Sequence, residues 1–126
     1  MRPTTKDARR LLIVDDDKPL AYMLAWAFED LGYEVLTAGD CCTARRLARR
    51  ESPAHALIDF HLPDGEGHRL AHDLSVVIPG LNTILMSAEP QRARQSMAAS
   101  GSMQQLFDKP VRPERLHQLF ASVPVT

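Results

Sequence analysis

Three carboxylates, a hydroxyl and an amine follow short apolar stretches of this 126-residue chain. They belong to Asp15, Asp16, Asp59, Ser87 and Lys109. Crowded carboxylates repel one another, and Mg2+ suits such a group because it binds carboxylates, waters and phosphate oxygens. A carboxylate is also an accepted nucleophile for phosphoryl transfer, which depends on positioning and on neutralising charge. The set therefore predicts a phosphoryl transfer to an aspartate, with Asp59 as the nucleophile and Mg2+ as the cofactor.

The phosphoryl donor is expected to lie outside this chain. A protein that binds its own nucleotide commonly cradles the phosphates in a glycine-rich loop, and the sequence contains no such loop. The donor is therefore another protein or a small molecule.

Five apolar strands alternate with five amphipathic helices along the sequence. The strands are predicted at 11–14, 34–37, 54–58, 83–86 and 105–108, and the helices at 18–31, 41–50, 66–75, 90–99 and from 113 onward. This alternation predicts a doubly wound α/β fold, in which a five-stranded parallel sheet carries helices on both faces. Ligands of such sheets bind outside the carboxyl ends of the strands, so the five polar groups are expected to meet at one edge.

The first helix has the clearest pattern. Asp17 is predicted to cap its beginning, and Gly32 to follow its end. Apolar residues recur at steps of three and four and are expected to form one buried stripe: Leu20, Met23, Leu24, Ala27, Phe28 and Leu31.

Composition narrows the classes of partner. Lysine plus arginine number 15 and aspartate plus glutamate 16, a net charge of −1 that gives no overall attraction to nucleic acid or anionic membranes. No apolar run approaches the roughly 18 residues of a membrane-spanning helix, and the polar start lacks a signal peptide's apolar segment. We expect a cytoplasmic, single-domain chain that binds neither nucleic acid nor membrane, with Cys41 and Cys42 reduced.

Two local patterns leave alternatives open. A row of arginines on the second helix fits either a nucleic-acid patch or a solvated helix face, and the second is favoured: Arg45, Arg46, Arg49 and Arg50. His68 and His72 lie four residues apart and could bind a metal from one helix face. They lack an evident third ligand, so this site is disfavoured.

The motifs together resemble the receiver domain of two-component response regulators. They are Val14-Asp15-Asp16, Asp59 followed by Pro63-Asp64-Gly65, Ser87-Ala88, and Lys109-Pro110. The resemblance implies a flavodoxin-like fold with strand order 2-1-3-4-5. We expect residues 1–9 to be a flexible lead-in, 10–123 the receiver domain, and 124–126 a tail or the start of a linker.

The resemblance also implies a role for each site residue. Asp59 is the phosphoacceptor, Asp16 binds Mg2+ directly, and Asp15 does so mainly through water. The backbone carbonyl of His61 is a further Mg2+ ligand, and Asp59 itself belongs to the metal site. Ser87 is expected to bond a phosphoryl oxygen, and Lys109 to contact the phosphoryl group or Asp59.

Three further positions carry regulatory expectations from the same resemblance. His61 and Glu89 occupy the places whose side chains tune the rate of dephosphorylation. Receivers usually carry Tyr or Phe three residues before the lysine, where this chain has Leu106. Leu106 is expected either to pack against its own neighbours or to leave an apolar spot on the face formed by helix four, strand five and helix five. Many receivers dimerise or bind partners through that face.

The implied function is a phosphorylation-activated switch in a phosphorelay. Its partner is a histidine kinase or a histidine phosphotransfer protein, and the chain is a phosphoacceptor rather than an enzyme. Two alternatives are a constitutive protein-interaction module and the N-terminal regulatory domain of a longer transcriptional regulator. A phosphoaspartyl hydrolase ranks last, because it needs a carboxylate two residues past the nucleophile, where this chain has His61.

Overall fold

The computed structural model describes residues 9–121. The strands are β1 (Arg10–Val14), β2 (Glu34–Ala38), β3 (His55–Asp59), β4 (His61–Leu62), β5 (Gly65–Glu66), β6 (Asn82–Ser87) and β7 (Gln105–Asp108). The helices are α1 (Lys18–Asp30), α2 (Cys41–Glu51), α3 (Gly67–Val77), α4 (Pro90–Ser100) and α5 (Pro113–Ala121). The expected tail at 124–126 and residues 1–8 of the expected lead-in lie outside this range.

Five strands form one parallel sheet in the order β2-β1-β3-β6-β7. In chain order these are the five predicted strands, so the predicted order 2-1-3-4-5 and the fold class are confirmed. The strands are added on one side of β1 to give β2 and on its other side to give β3, β6 and β7. The order of winding therefore changes between β1 and β3, and the carboxyl ends of these two parallel strands border the place where ligands of such sheets bind.

The sheet is buried on both faces by two separate apolar clusters. One cluster lies under α2, α3 and α4 and includes Leu12 and Val14 of β1; the other lies under α1 and α5 and includes Leu11 and Ile13. The four apolar side chains of β1 are fully buried, as expected of a central parallel strand. No helix between residues 9 and 121 has the length and apolar character needed to cross a membrane.

The buried face of helix α1 differs from the apolar stripe that the sequence predicts. The side chain of Asp17 caps the helix by accepting a hydrogen bond from the Leu20 N–H, as predicted. Leu24 and Phe28 are buried, but Met23 is 60% exposed, so its assignment to the buried stripe was wrong. Met23 stands one position before Leu24, and the rotation of about 100° per residue carries it out of the interface with the sheet.

Candidate functional site

Three aspartate side chains meet at the carboxyl ends of β1 and β3. One carboxylate oxygen from each of Asp15, Asp16 and Asp59 can be chosen so that all lie within 4.8 Å of one another. Asp15 and Asp59 are buried, whereas Asp16 is exposed. The structure therefore brings together the three predicted metal-binding side chains, with one side of the group open to solvent.

Backbone pairing explains this convergence. Val14 pairs with Ile58 in the β1–β3 register, so the residues that follow leave the sheet side by side. The Asp15 N–H donates to the Ala38 carbonyl at the end of β2, and the Asp15 carboxylate accepts from the Asp17 N–H. Asp15 is thus held at the edge, close to Asp59.

Lys109 supplies a positive charge to this group. Its Nζ atom lies 2.9 Å from Asp15 Oδ2 and 3.3 Å from Asp59 Oδ2. The Lys109 N–H donates to the Ser87 carbonyl, which fixes the backbone beyond β7 against the end of β6. One amine thus contacts two of the three carboxylates.

The surroundings of Asp59 favour its neutral form. Burial, followed by the charge of Asp15, raises the pKa of Asp59 to about 6, although Lys109 and the His61 N–H act in the opposite direction. Burial also opposes the charge on Lys109, but the carboxylates of Asp15 and Asp59 raise its pKa overall. The site therefore holds more carboxylate than its single amine neutralises, which favours the binding of a further cation.

The donor set fits Mg2+. Its oxygen atoms come from carboxylates, which a hard cation prefers, and Asp16 faces solvent where bound waters can complete the coordination. The buried Oδ2 atom of Asp15 contacts Lys109 but accepts no hydrogen bond of favourable angle in the described part of the chain. Lys109 offsets the charge of one carboxylate, and a metal ion would offset the charge that remains on the other two.

Ser87 and the two predicted rate-tuning residues lie beside the aspartates. Ser87 is the buried last residue of β6, and its hydroxyl accepts a hydrogen bond from the Glu89 N–H. The His61 N–H donates weakly to Asp59 Oδ1 at 3.4 Å. His61 Nε2 lies 3.8 Å from Glu89 Oε1, so the two side chains that are predicted to tune dephosphorylation face each other.

A short hairpin after Asp59 was not predicted. Strands β4 and β5 pair in antiparallel orientation, with the turn residues Pro63 and Asp64 at the tip. The sequence motif Pro63-Asp64-Gly65 indicated a turn, but two residues per strand are too few to produce a visible alternation of apolar and polar positions.

Gly67 is a second residue whose importance the sequence did not reveal. A Cβ atom at this position would stand 2.3 Å from the Asp59 carbonyl oxygen. The Gly67 N–H also donates to the Phe60 carbonyl at 2.7 Å. Helix α3 can therefore begin against the end of β3 only because residue 67 has no side chain.

The two histidines on α3 lie in different surroundings. His68 is buried and stacks on Phe60, with ring centroids 5.0 Å apart, whereas His72 is exposed. Burial lowers the pKa of His68. Within residues 9–121 the aspartates 15, 16 and 59 form the sole group of three candidate ligands close enough to share a metal.

Leu106 is half-buried in β7 and packs against the apolar cluster under α2, α3 and α4. It also borders a groove of about 350 Å3 between α4 and α5, together with Arg94, Asp108 and Arg115. Leu106 therefore packs against its neighbours and also borders this groove, and its role on the face formed by α4, β7 and α5 stays a prediction.

Comparison with known proteins places these observations in a family. The family model described as "Response regulator receiver domain" matches residues 11–121. The transcriptional regulatory protein DpiA of Escherichia coli (strain K12) is 35% identical over 111 residues, which cover 86% of this chain and 49% of DpiA. The probable transcriptional regulatory protein TcrX of Mycobacterium tuberculosis is 38% identical over 79 residues, covering 63% of this chain and 34% of TcrX.

Solved structures agree with this match. A CheY-like response regulator receiver domain protein from Methanospirillum hungatei JF-1 is 27% identical, with a TM-score of 0.79 and 90% coverage of both chains. The curated relatives are longer, and this chain spans about half or less of their length.

Proposed function

The chain belongs to the response regulator receiver domain family, and from this premise we propose that it is a phosphorylation-activated switch of a two-component system. Asp59 accepts a phosphoryl group from a histidine kinase or a histidine phosphotransfer protein. The observation that carries the proposal is the contact of one amine, Lys109, with both Asp15 and Asp59 beside the solvent-facing Asp16. The chain acts as a phosphoacceptor in the cytoplasm and not as an enzyme for a separate substrate.

In the forward step, an Asp59 carboxylate oxygen attacks the phosphorus atom. The new bond joins this oxygen to phosphorus, while the bond from phosphorus to the donor histidine nitrogen breaks and its electron pair stays on the nitrogen. Lys109 offsets the negative charge that gathers on the phosphoryl oxygens, and the Ser87 hydroxyl donates to one of them. In hydrolysis, the oxygen of a water molecule bonds to phosphorus, and the bond from phosphorus to the Asp59 oxygen breaks with its electron pair left on that oxygen. Inorganic phosphate leaves, and Asp59 is again a free carboxylate.

Asp15, Asp16, Asp59 and the His61 carbonyl are the residues that would hold Mg2+. When bound there, the ion supplies positive charge to the phosphoryl oxygens during transfer. Burial and the charge of Asp15 raise the pKa of Asp59 to about 6, and a cation bound beside it would favour the charged carboxylate that attacks phosphorus.

Labelling by a small phosphodonor tests the assignment. We expect acetyl phosphate with Mg2+ to label the protein, and Asp59→Asn to abolish the labelling, as followed by intact-protein mass spectrometry. Asp17→Asn is the matched control. Asp17 is an exposed carboxylate next to the site that caps α1, and Asn caps helices equally well.

Wild-type labelling of Asp59→Asn would overturn the choice of acceptor. Labelling that persists unchanged in EDTA would overturn the requirement for a divalent cation.

A constitutive interaction module is the second candidate, and Leu106 is the observation that favours it. In the receivers that this chain resembles, the aromatic ring at this position turns inward when the hydroxyl residue moves, and Leu106 has no ring to make this movement. We expect beryllofluoride, a phosphate mimic, to shift the NMR signals of α4, β7 and α5, where a homodimer or partner would bind. Identical spectra with and without the mimic would favour the constitutive module.

The output is proposed to be control of transcription through another domain. The support is that the relatives DpiA and TcrX are both named as transcriptional regulatory proteins and are longer than this chain. The reading frame after the codon for Thr126 tests this proposal. A DNA-binding domain encoded there is expected, and a stop codon would contradict it.

A further inference from the structure

The β4–β5 hairpin that follows Asp59 is too small to keep its own shape. Each of its strands has two residues, and isolated two-stranded hairpins are marginal even when longer. Its position beside the site therefore depends on contacts with the rest of the domain.

One anchor lies at the base of the hairpin and another at its tip. At the base, the Gly67 N–H donates to the Phe60 carbonyl at 2.7 Å. At the tip, Asp64 Oδ1 accepts from the Cys41 N–H at 2.8 Å, and Asp64 Oδ2 accepts from the Cys42 N–H at 3.1 Å. The tip is thus bonded to the first turn of α2, which is 22 or 23 residues distant in sequence.

Helix α2 is well suited to hold a carboxylate. The first N–H groups of a helix have no partner within the helix, and the helix dipole favours negative charge at this end. Asp40 already accepts from the Thr43 N–H, so the bonds to Asp64 satisfy two donors that Asp40 leaves unpaired. These bonds also lower the pKa of Asp64, which keeps its carboxylate charged.

We propose that Asp64 is a positioning residue, which bonds the β4–β5 hairpin to α2 and so holds the His61 backbone beside Asp59. The proposal rests on the proposed function, in which the His61 carbonyl binds Mg2+. His61 lies on β4, three residues before Asp64, and its N–H already contacts Asp59 Oδ1 at 3.4 Å. Both carboxylate oxygens of Asp64 accept hydrogen bonds from α2, so its proposed role is to position the hairpin and not to bind the ion.

The test compares two variants that each remove a cap from α2. Asp64→Ala removes the bonds to Cys41 and Cys42, whereas Asp40→Ala removes the bond to Thr43 and leaves the hairpin untouched. Mutation of a residue that orients a metal ligand typically lowers metal affinity by 10-fold or more. We therefore expect Asp64→Ala to weaken Mg2+ binding about 10-fold, as measured by titration calorimetry. Asp40→Ala is expected to stay within about 2-fold of the wild type, because it acts on the helix alone.

Amide hydrogen exchange in the metal-free protein provides a readout that does not involve phosphorylation. Loss of the tip anchor should speed exchange of the His61 amide about fivefold in Asp64→Ala and leave it unchanged in Asp40→Ala. Asp64→Asn keeps one acceptor oxygen and is expected to be intermediate in both measurements. It also replaces Asp64→Ala should that variant fail to fold.

Equal Mg2+ affinity in the wild type and Asp64→Ala, or equal losses in Asp64→Ala and Asp40→Ala, would overturn the positioning role. The proposed function fails separately, if acetyl phosphate does not label wild-type Asp59. Wild-type labelling with unaltered Mg2+ binding by Asp64→Ala would remove only the inference about Asp64.

Discussion

Asp59 is a carboxyl group whose ionised form the folded protein disfavours. It is buried beside the Asp15 carboxylate, and its pKa rises to about 6, compared with about 3.9 in an unfolded chain. Between about pH 4 and pH 6 the folded protein therefore retains a proton that the unfolded chain has released. The contribution of Asp59 to stability is greatest below pH 4 and falls as the pH rises through 6.

This dependence of stability on pH leads to a prediction for Asp59→Asn in EDTA. At pH 7 the variant should be more stable than the wild type by about 1 kcal/mol, a value that allows for partial access of solvent to the carboxyl. The difference should shrink as the pH falls from 6 to 4, because the wild-type carboxyl then becomes neutral. Urea denaturation at several pH values measures this difference in the free energy of unfolding between the variant and the wild type. A difference that is constant from pH 4 to pH 7 would contradict the assigned pKa.

At the scale of elements, the contact between β3 and α3 determines where Asp59 stands. A methyl group on residue 67 would clash with the Asp59 carbonyl, and relief requires the helix to move away from the strand. We expect Gly67→Ala to destabilise the protein by about 1–3 kcal/mol, as overpacked sites do, and to slow labelling of Asp59. Denaturation and labelling measurements check the two effects.

Gly39→Ala is the control for this substitution. Gly39 follows β2 at the same carboxyl edge of the sheet, but nothing stands within 4 Å of an added Cβ. Its effect on stability should stay within about 0.5 kcal/mol. Equal effects of the two substitutions would show that the close approach at residue 67 does not matter.

Helix α1 allows a test of which apolar residues belong to the core. Leu24→Ala should cost about 2–5 kcal/mol because Leu24 is buried under the helix. Met23→Ala should change stability by no more than about 0.5 kcal/mol, because the Met23 side chain is mostly exposed. Chemical denaturation of the pair measures the contrast. A large loss of stability in Met23→Ala would show that Met23 belongs to the buried stripe expected from the sequence.

At the scale of the whole molecule, binding at the site is coupled to the stability of the domain. Asp15, Asp59 and Lys109 come from the ends of three different strands, so unfolding disperses them. A ligand that binds only the folded protein stabilises it by mass action, by about 1.4 kcal/mol at ten times its dissociation constant. We expect Mg2+ to raise the free energy of unfolding by this amount.

Asp16→Ala is the variant that checks the location of this effect. Asp16 is exposed and would bind the ion directly, so its loss should abolish most of the stabilisation without harming the core. Urea denaturation with MgCl2, and with NaCl at equal ionic strength, separates specific binding from screening. Equal stabilisation of Asp16→Ala and the wild type by Mg2+ would place the ion elsewhere.

Much of the architecture could be predicted from the sequence because its signals are local. Short apolar stretches that end in Asp15, Asp59, Ser87 and Lys109 indicate strands of a parallel sheet, and parallel strands present their carboxyl ends at one edge. Strand order required the resemblance to receivers in addition, because many connections between parallel strands share the same local pattern.

Other features depend on residues that are distant in sequence and were decided only by tertiary packing. Met23 and Leu24 have similar apolar character, and only the angle at which α1 lies on the sheet exposes one and buries the other. The bonds from Asp64 to α2 and the approach of Gly67 to Asp59 leave no local pattern in the sequence. Residue type and spacing thus determined which groups reach the site, whereas the packing of helices on the sheet decided how those groups are held.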